Sequence, residues 1–322
     1  MRRRLVLALV ASLASPTAHA TEDVAFGITS ATALSLPHFI AEEKRYFAAE
    51  GLAVDTVAAG SAARVLQQLA GRSLNMAQVA TDQTLRAILH GAPIRIIAGA
   101  AANAPFRVVA AKSIKNWSDL KGRTVSVGGL TDVTLYFLRV MARRNGLADQ
   151  DYDLLYAGGT PDRFAQLASG AVAAAVLTNP VDLVALDQGF VDLGSVPQYL
   201  PHWTQNNLLV DTRWAAAHRD AVLAVLRAEI QATQFFYDAA NRDEVIGILA
   251  KYTRTSGPIA AKTYDLYLRD EVIARNAALS PQGIKANLDA LAAMGEVTAA
   301  PPLDSFIDAS FLAEAARAAT AR

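Results

Sequence analysis

The sequence predicts an α/β protein of two lobes with a ligand cleft between them and a helical C-terminal region packed on the first lobe. Three observations predict it. Short apolar runs alternate with helical stretches through most of the chain, and such a βα succession gives a mostly parallel sheet with helices on its faces. A pattern in the first half is echoed in the second. From about Arg219 the pattern turns almost wholly helical.

Taken in order, residues 1–20 read as an export leader. Arg2 to Arg4 make a positive start, Leu5 to about Ala14 an apolar stretch, and Ala18-His19-Ala20 an A-x-A cleavage site. The apolar stretch is too short to span a bilayer. The expected mature chain begins at Thr21 and has 302 of the 322 residues. The sequence has no Cys, which excludes a lipid-bearing Cys at the cleavage point and a disulfide framework. These features predict a soluble periplasmic protein without a lipid anchor.

In the first lobe, strands are predicted at Val24–Thr29, Leu52–Ala58, Leu74–Ala80 and Ile94–Ala100. A helix over His38–Glu50 carries Phe39, Ile40, Tyr46 and Phe47 at helical spacing and ends at Gly51. Ser61 caps a helix with Val65, Leu66 and Leu69 on one face. Thr81 and Asp82 open a third. In the second lobe, strands are predicted at Phe106–Ala111, Thr124–Val127, Asp153–Ala157 and Val172–Leu177, and a returning strand at Asn207–Asp211. Helices open near Thr131, at Thr160-Pro161 and at Asn179-Pro180, each Pro in a first helical position where its missing N–H costs nothing. The echo is Gln68 to Gly71, a strand, then Thr81-Asp82, against Gln166 to Gly170, a strand, then Thr178-Asn179. In the helical region, Arg219–Asp238 aligns Val222, Leu226, Ile230 and Phe235, Asn241 with Glu244 reads as a capping box, and Ser280-Pro281 starts a helix ending near Gly295. The Ala-rich tail, Ala313 to Arg322, is expected to fray.

Composition narrows the function. Without the three leader arginines, 27 basic face 30 acidic residues, so the surface lacks the basic footprint of a nucleic-acid binder. No mature segment holds the roughly 18 uninterrupted apolar residues of a spanning helix. There is no G-x-S-x-G elbow, H-E-x-x-H or P-loop. His38, His90, His202 and His218 lack metal-ligand spacing, and Glu42-Glu43, adjacent on a helix, do not face each other. No cofactor, metal or catalytic residue is predicted.

The ordered motifs resemble a known family. Leu36-Pro37 to Ala41 with Tyr46-Phe47 to Gly51-Leu52 is similar to the family opening "L-P-x-x-x-A … G-Y-F-x-x-E-G-L", although Arg45 stands where Gly is usual. Gln68 to Gly71 resembles "A-L-A-A-G-x-x-D", with Asn75 in place of the acid. Leu120-Lys121-Gly122-Arg123-Thr124-Val125 resembles the element that opens the second lobe. Gly158 to Arg163 and Gln166 to Leu177 resemble a later region, with Ala173 at the usual Asp position. The family is that of periplasmic solute-binding proteins of the sulfonate, nitrate and thiamine-precursor ABC importers. The resemblance implies a type II periplasmic-binding-protein fold, with residues 21–106 plus 208–322 as the first lobe and 107–207 as the second. It implies capture of a small-molecule solute by hinge closure, delivery to an ABC permease with its ATPase, and a monomer.

Ligands of open α/β sheets lie at the carboxyl ends of strands, near helix N-termini. Thr131 and Thr134 sit at such a start, where an anion site and ordinary capping both fit the residues, and Asp132 repels an anion if it points inward. Ser61, Thr81 and Asp82 offer equivalent starts, or serve as caps alone. Ser30 and Thr32 follow the first strand, where the family places solute contacts, or lie in a solvated loop. Asn103 and Phe106 fall at the first crossover, Phe106 as a stacking wall or as hinge packing. Thr160 and Arg163 open a helix near the expected cleft, Arg163 as a bidentate grip on an anion or as an ion-pair partner elsewhere. Thr178 and Asn179 echo Thr81 and Asp82. Trp203 is read as cleft wall or packing. The expected solute is an organic anion, an alkanesulfonate or a carboxylate; a thiamine-precursor pyrimidine, a same-fold enzyme and a periplasmic sensor are the other readings.

Overall fold

The computed structural model describes residues 21–297 and 301–320; the expected leader and its cleavage point lie outside them. Ten strands are present: β1 (Glu22–Ile28), β2 (Leu52–Ala58), β3 (Met76–Ala80), β4 (Ile94–Ala101), β5 (Phe106–Ala110), β6 (Thr124–Val127), β7 (Asp153–Tyr156), β8 (Ala174–Thr178), β9 (Val191–Ser195) and β10 (Asn206–Asp211). They form two five-stranded sheets, ordered β2-β1-β3-β10-β4 and β7-β6-β8-β5-β9. In each sheet the first three strands are parallel, and the fourth runs antiparallel to both of its neighbours. The two sheets therefore share one plan, in which β10 and β5, which enter from the crossovers, occupy the same position.

The helices are α1 (Leu36–Glu43), α2 (Tyr46–Ala49), α3 (Ala62–Ala70), α4 (Thr81–Leu89), α5 (Val133–Arg144), α6 (Thr160–Ala168), α7 (Val181–Asp187), α8 (Thr212–Ala217), α9 (Arg219–Tyr237), α10 (Arg242–Thr253), α11 (Gly257–Arg269), α12 (Pro281–Ala293) and α13 (Ser310–Thr320). The echoed sequence segments are α3–β3–α4 and α6–β8–α7, equivalent units of the two sheets. β8 is buried along its whole length, as expected for a central parallel strand covered on both faces. One large core cluster runs through both lobes, and a smaller one lies on the other side of each sheet.

Several expectations change. The helix expected over 38–50 is broken into α1 and α2 at Arg45, which takes a left-handed conformation (φ 59°, ψ 30°). That is the position where the family pattern has Gly. The left-handed region costs an L-residue roughly 1–2 kcal/mol, more than the roughly 0.5–1 kcal/mol entropic disadvantage of Gly. Arg45→Gly is therefore expected to stabilise the protein by about 0.5 kcal/mol, measured by chemical denaturation; destabilisation would show that the exposed Arg45 side chain makes a compensating contact. Sequence reading missed β9, whose Asp192, Gly194 and Ser195 weaken any strand pattern; it forms because β5 leaves an edge for Val191, Asp192 and Ser195 to pair with.

Helix starts shift by one residue where the expected cap has another partner. Thr81 lies inside α4, with Ala80 at the cap, because its hydroxyl donates to the Gln205 carbonyl at 3.3 Å and accepts from Asn207 Nδ2 at 2.7 Å. Asp132, not Thr131, caps α5 through Thr134 N–H. Gly159 precedes α6, with Thr160 at its first position. Pro180 precedes α7, after a cis Asn179–Pro180 bond. Asn241 forms no capping box, since its amide donates to the Phe235 carbonyl and Glu244 pairs with Lys44. The caps at Ser61 and Ser280 form as expected. The Ala-rich tail is helical through Thr320 and lies on α9, with Phe311 and Ala315 buried. Arg219 stacks over the Phe311 ring at 4.5 Å.

Candidate functional site

Parallel strands end their carboxyl termini on one edge of each sheet, and here the two edges line one cavity of about 160 Å³. From the first lobe come Thr29 and Ser30 after β1, Gly60 to Ala62 after β2, and Ala80 and Gln83 after β3. From the second come Gly128 and Asp132 to Thr134 after β6, Gly158 to Thr160 after β7, and Thr178 at the end of β8. Phe106 from the first crossover and Gln205 and Asn206 from the second complete the wall. Gln83 Nε2 donates to the Thr131 carbonyl across the cleft, a direct hydrogen bond between the lobes at its rim.

Arg163 projects from the first turn of α6 and is only 4% exposed. Nε donates to the Val176 carbonyl at 2.6 Å, one Nη to Thr160 Oγ1 at 2.7 Å and the other to the Gly158 carbonyl. No carboxylate comes within ion-pair distance among the described residues. Burial pulls its pKa down to about 10, with Asp132 and Asp162 opposing the shift, so it remains a cation at neutral pH. A buried cation without a counter-ion is costly, and the backbone carbonyls only partly offset that cost. Asp132 Oδ1 accepts from Thr134 N–H at 2.9 Å and from Thr134 Oγ1. Thr134 Oγ1 in turn accepts from Gly128 N–H at 2.8 Å. Gly128 leaves room for this carboxylate: a Cβ on it would stand 2.5 Å from the Asp132 carboxyl carbon and displace it.

Eight of the residues singled out from sequence line the cavity: Ser30, Thr32, Ser61, Phe106, Thr134, Thr160, Arg163 and Thr178. The others lie outside its lining. Thr81 is held by Asn207 and Gln205. Asp82 is buried against Arg86 at 2.6 Å, and burial pushes its pKa up to about 6 against the pull of that guanidinium; Arg86 also reaches Glu296. Asn103 Nδ2 donates to the Asp270 carbonyl at 2.8 Å. Thr131 is exposed and offers only its carbonyl, to Gln83. Asn179 Nδ2 donates to Asp182 Oδ1 at 2.7 Å. Trp203 stacks on Tyr136 and meets Phe137 edge-on, both at 5.2 Å, as packing. Phe106 both lines the cavity and packs on Phe137. Sequence reading missed Ser35, Gln78, Gln83 and Gln205. Gln78 lies inside β3 with Nε2 on the Leu34 carbonyl, and nothing in a single strand pattern marks such a residue.

The comparisons agree with this architecture. The ligand-binding component of an ABC-type import system from Staphylococcus aureus, with zinc bound, superposes with a TM-score of 0.77 at 11% identity, over 92% of this chain and 99% of that one. The nitrate-binding protein NrtA from Synechocystis PCC 6803 gives 0.73 at 17% identity, over 93% and 89%. The aliphatic sulphonate-binding protein SsuA from Escherichia coli gives 0.71 at 18%, over 89% and 92%. At these identities the likeness is one of fold, the periplasmic-binding-protein fold expected from the motifs. No curated protein matches the sequence. The family model described as NMT1/THI5 like matches residues 15–242, most of the chain, and on that match the chain belongs to the NMT1/THI5-like family.

Proposed function

We propose that this protein captures a small organic anion, an alkanesulfonate or an aromatic or aliphatic carboxylate, and delivers it to an ABC permease with its ATPase. The observation that carries the reading is Arg163, a buried guanidinium without an ionic partner in the wall of the interlobe cavity. Three of its five N–H groups are taken by protein oxygens, which fix the plane of the fork. An anionic oxygen is the counter-charge that this environment lacks, and Arg presents it a rigid pair of donors. Ser30, Thr32 and Ser61 add hydroxyl residues to the lining, Thr178 spends its hydroxyl proton on the Pro105 carbonyl at 2.9 Å, and Phe106 gives an apolar surface for a short tail.

Closure supplies the means of signalling. Taking residues 21–106 plus 208–322 and 107–207 as the two lobes, a solute touching both shifts the open–closed equilibrium by its differential affinity for the closed state. The leader-like residues 1–20 support export to the periplasm, and no helix among the described residues is long and apolar enough to cross a membrane. The protein acts as a monomer, without cofactor or catalytic residue.

The test is a thermal-shift screen of the purified protein against sulfonates, carboxylates, inorganic anions and pyrimidines. A solute at 100 times its Kd stabilises the native state by roughly 2.7 kcal/mol. Shifts confined to organic anions, with the hit recovered chemically unchanged, are the expected result. Shifts with neutral pyrimidines alone would overturn the anion assignment, and consumption of the hit would overturn binding without turnover.

A further inference from the structure

Arg163 is not the only charged group in the cavity wall. The lining holds two charged side chains, Arg163 and Asp132. They come from the starts of two adjacent helices, α6 and α5. Neither has an ion-pair partner among the described residues, and they do not pair with each other, so more than 4.0 Å separates guanidinium nitrogen from carboxylate oxygen. They are still near enough to feel each other: the Asp132 charge opposes the depression of the Arg163 pKa. Asp132 Oδ1 is taken up in capping α5, while Oδ2 has no hydrogen bond among the described residues.

Charge balance then discriminates between solutes. With both groups ionised, the cavity wall is neutral. A plain anion placed against Arg163 brings a second negative charge close to the half-buried Asp132, and like charges at such range repel. A molecule that also carries a positive group satisfies both and leaves the closed cavity neutral. A third group points the same way. Gln205 is 3% exposed, lines the cavity, and its side-chain Oε1 is buried without a hydrogen-bond partner. A buried amide of this kind is costly unless a donor reaches it, and an ammonium has three donors to share between a carboxylate and an amide oxygen. Size limits the molecule further: a cavity of about 150 Å³ holds a benzene, and this one is about 160 Å³.

Building on the anion-capture reading, we propose that the solute is a small zwitterion, its sulfonate or carboxylate on Arg163 and its protonated amine on Asp132 and Gln205. Asp132 is then a specificity-determining residue, selecting for an amine where Arg163 selects for an acid.

The experiment is isothermal titration with matched probes: 3-aminopropanesulfonate, propanesulfonate and propylamine, and 4-aminobutanoate, butanoate and butylamine. Each is run on the wild type and on Asp132→Asn. Asn is as good a helix cap as Asp, so α5 keeps its start, and an unchanged circular dichroism spectrum and thermal midpoint of the solute-free variant check this. In the wild type, the amino acid of at least one set is expected to bind at least tenfold tighter than its desamino anion, with the amine alone weaker than either. In Asp132→Asn that preference is expected to fall at least tenfold, with the desamino anion bound as well as before or better. Desamino anions that bind the wild type as tightly as the amino acids would overturn the zwitterion and leave anion capture standing. A wild type that binds the amines and none of the acids would overturn both. A preference for the amino acid that survives Asp132→Asn would remove Asp132 from the site.

Discussion

Replacing Arg163 by alanine is expected to weaken solute binding at least tenfold, or about 1.4 kcal/mol. Hydrogen bonds to charged groups contribute roughly 1.5–3 kcal/mol each, and truncating a buried charge partner leaves the solute anion without its counter-charge. The guanidinium also ties the α6 start to β8 through Val176 and to the β7–α6 turn through Gly158, and bonds Thr160 at the first position of α6. Alanine removes those ties as well, so the affinity change must be separated from a loss of fold. The thermal midpoint of the solute-free variant does this, and Arg163→Lys adds a second control. Lysine keeps the charge but loses the fork, so its affinity should fall between the wild type and Arg163→Ala. Since the Arg163 pKa stays at about 10, its charge gives no pH dependence of binding between about pH 6 and 8.5. Titration of the best hit from the screen decides the matter: an unchanged Kd in a folded Arg163→Ala variant removes Arg163 from the site.

Arg163 also shows how far the sequence reaches. The βα order, the two-lobe plan and the carboxyl-edge location of the cleft follow from periodicity and helix starts, and they place most of the cavity wall. Single-residue roles depend on partners distant in sequence, which no local pattern reveals. Thr81 fits a helix cap, yet its hydroxyl is used by Asn207, 126 positions away. Asp82 fits a helix start at the cleft, yet α4 turns its carboxylate toward Arg86. Gln205 carries no local mark at all, because what makes it a site residue is the meeting of the second crossover with the two sheet edges. The break at Arg45 was half visible: the departure from Gly marked the place, but only backbone geometry shows that the position is left-handed.

The second large effect lies away from the cleft, at His38. The sequence offered it only as a histidine without metal spacing. In the fold it is 1% exposed, with Nδ1 2.9 Å from Glu229 Oε1 and Nε2 2.9 Å from Thr56 Oγ1. Its ring stacks on Phe26 at 4.1 Å. One side chain thus joins α1 to α9, to β2 and to β1, fastening the helical region to the first sheet. Glu229 is itself only 3% exposed, and His38 is the one hydrogen-bond partner its carboxylate has among the described side chains. His38→Ala leaves that carboxyl group buried without its hydrogen-bond partner beside a new cavity, and a buried polar group left unsatisfied costs about 1–3 kcal/mol before the cavity is counted. Glu229→Gln retains a group able to bond the imidazole and is expected to lose less. Chemical denaturation of both variants measures the difference, and a His38→Ala protein within about 0.5 kcal/mol of the wild type would show the pair to be energetically idle. Because His38 does not line the cavity, the folded fraction of His38→Ala should bind the solute with the affinity of the wild type, the converse of the result expected for Arg163→Ala. The two variants together separate the machinery that holds the first lobe in shape from the groups that meet the solute.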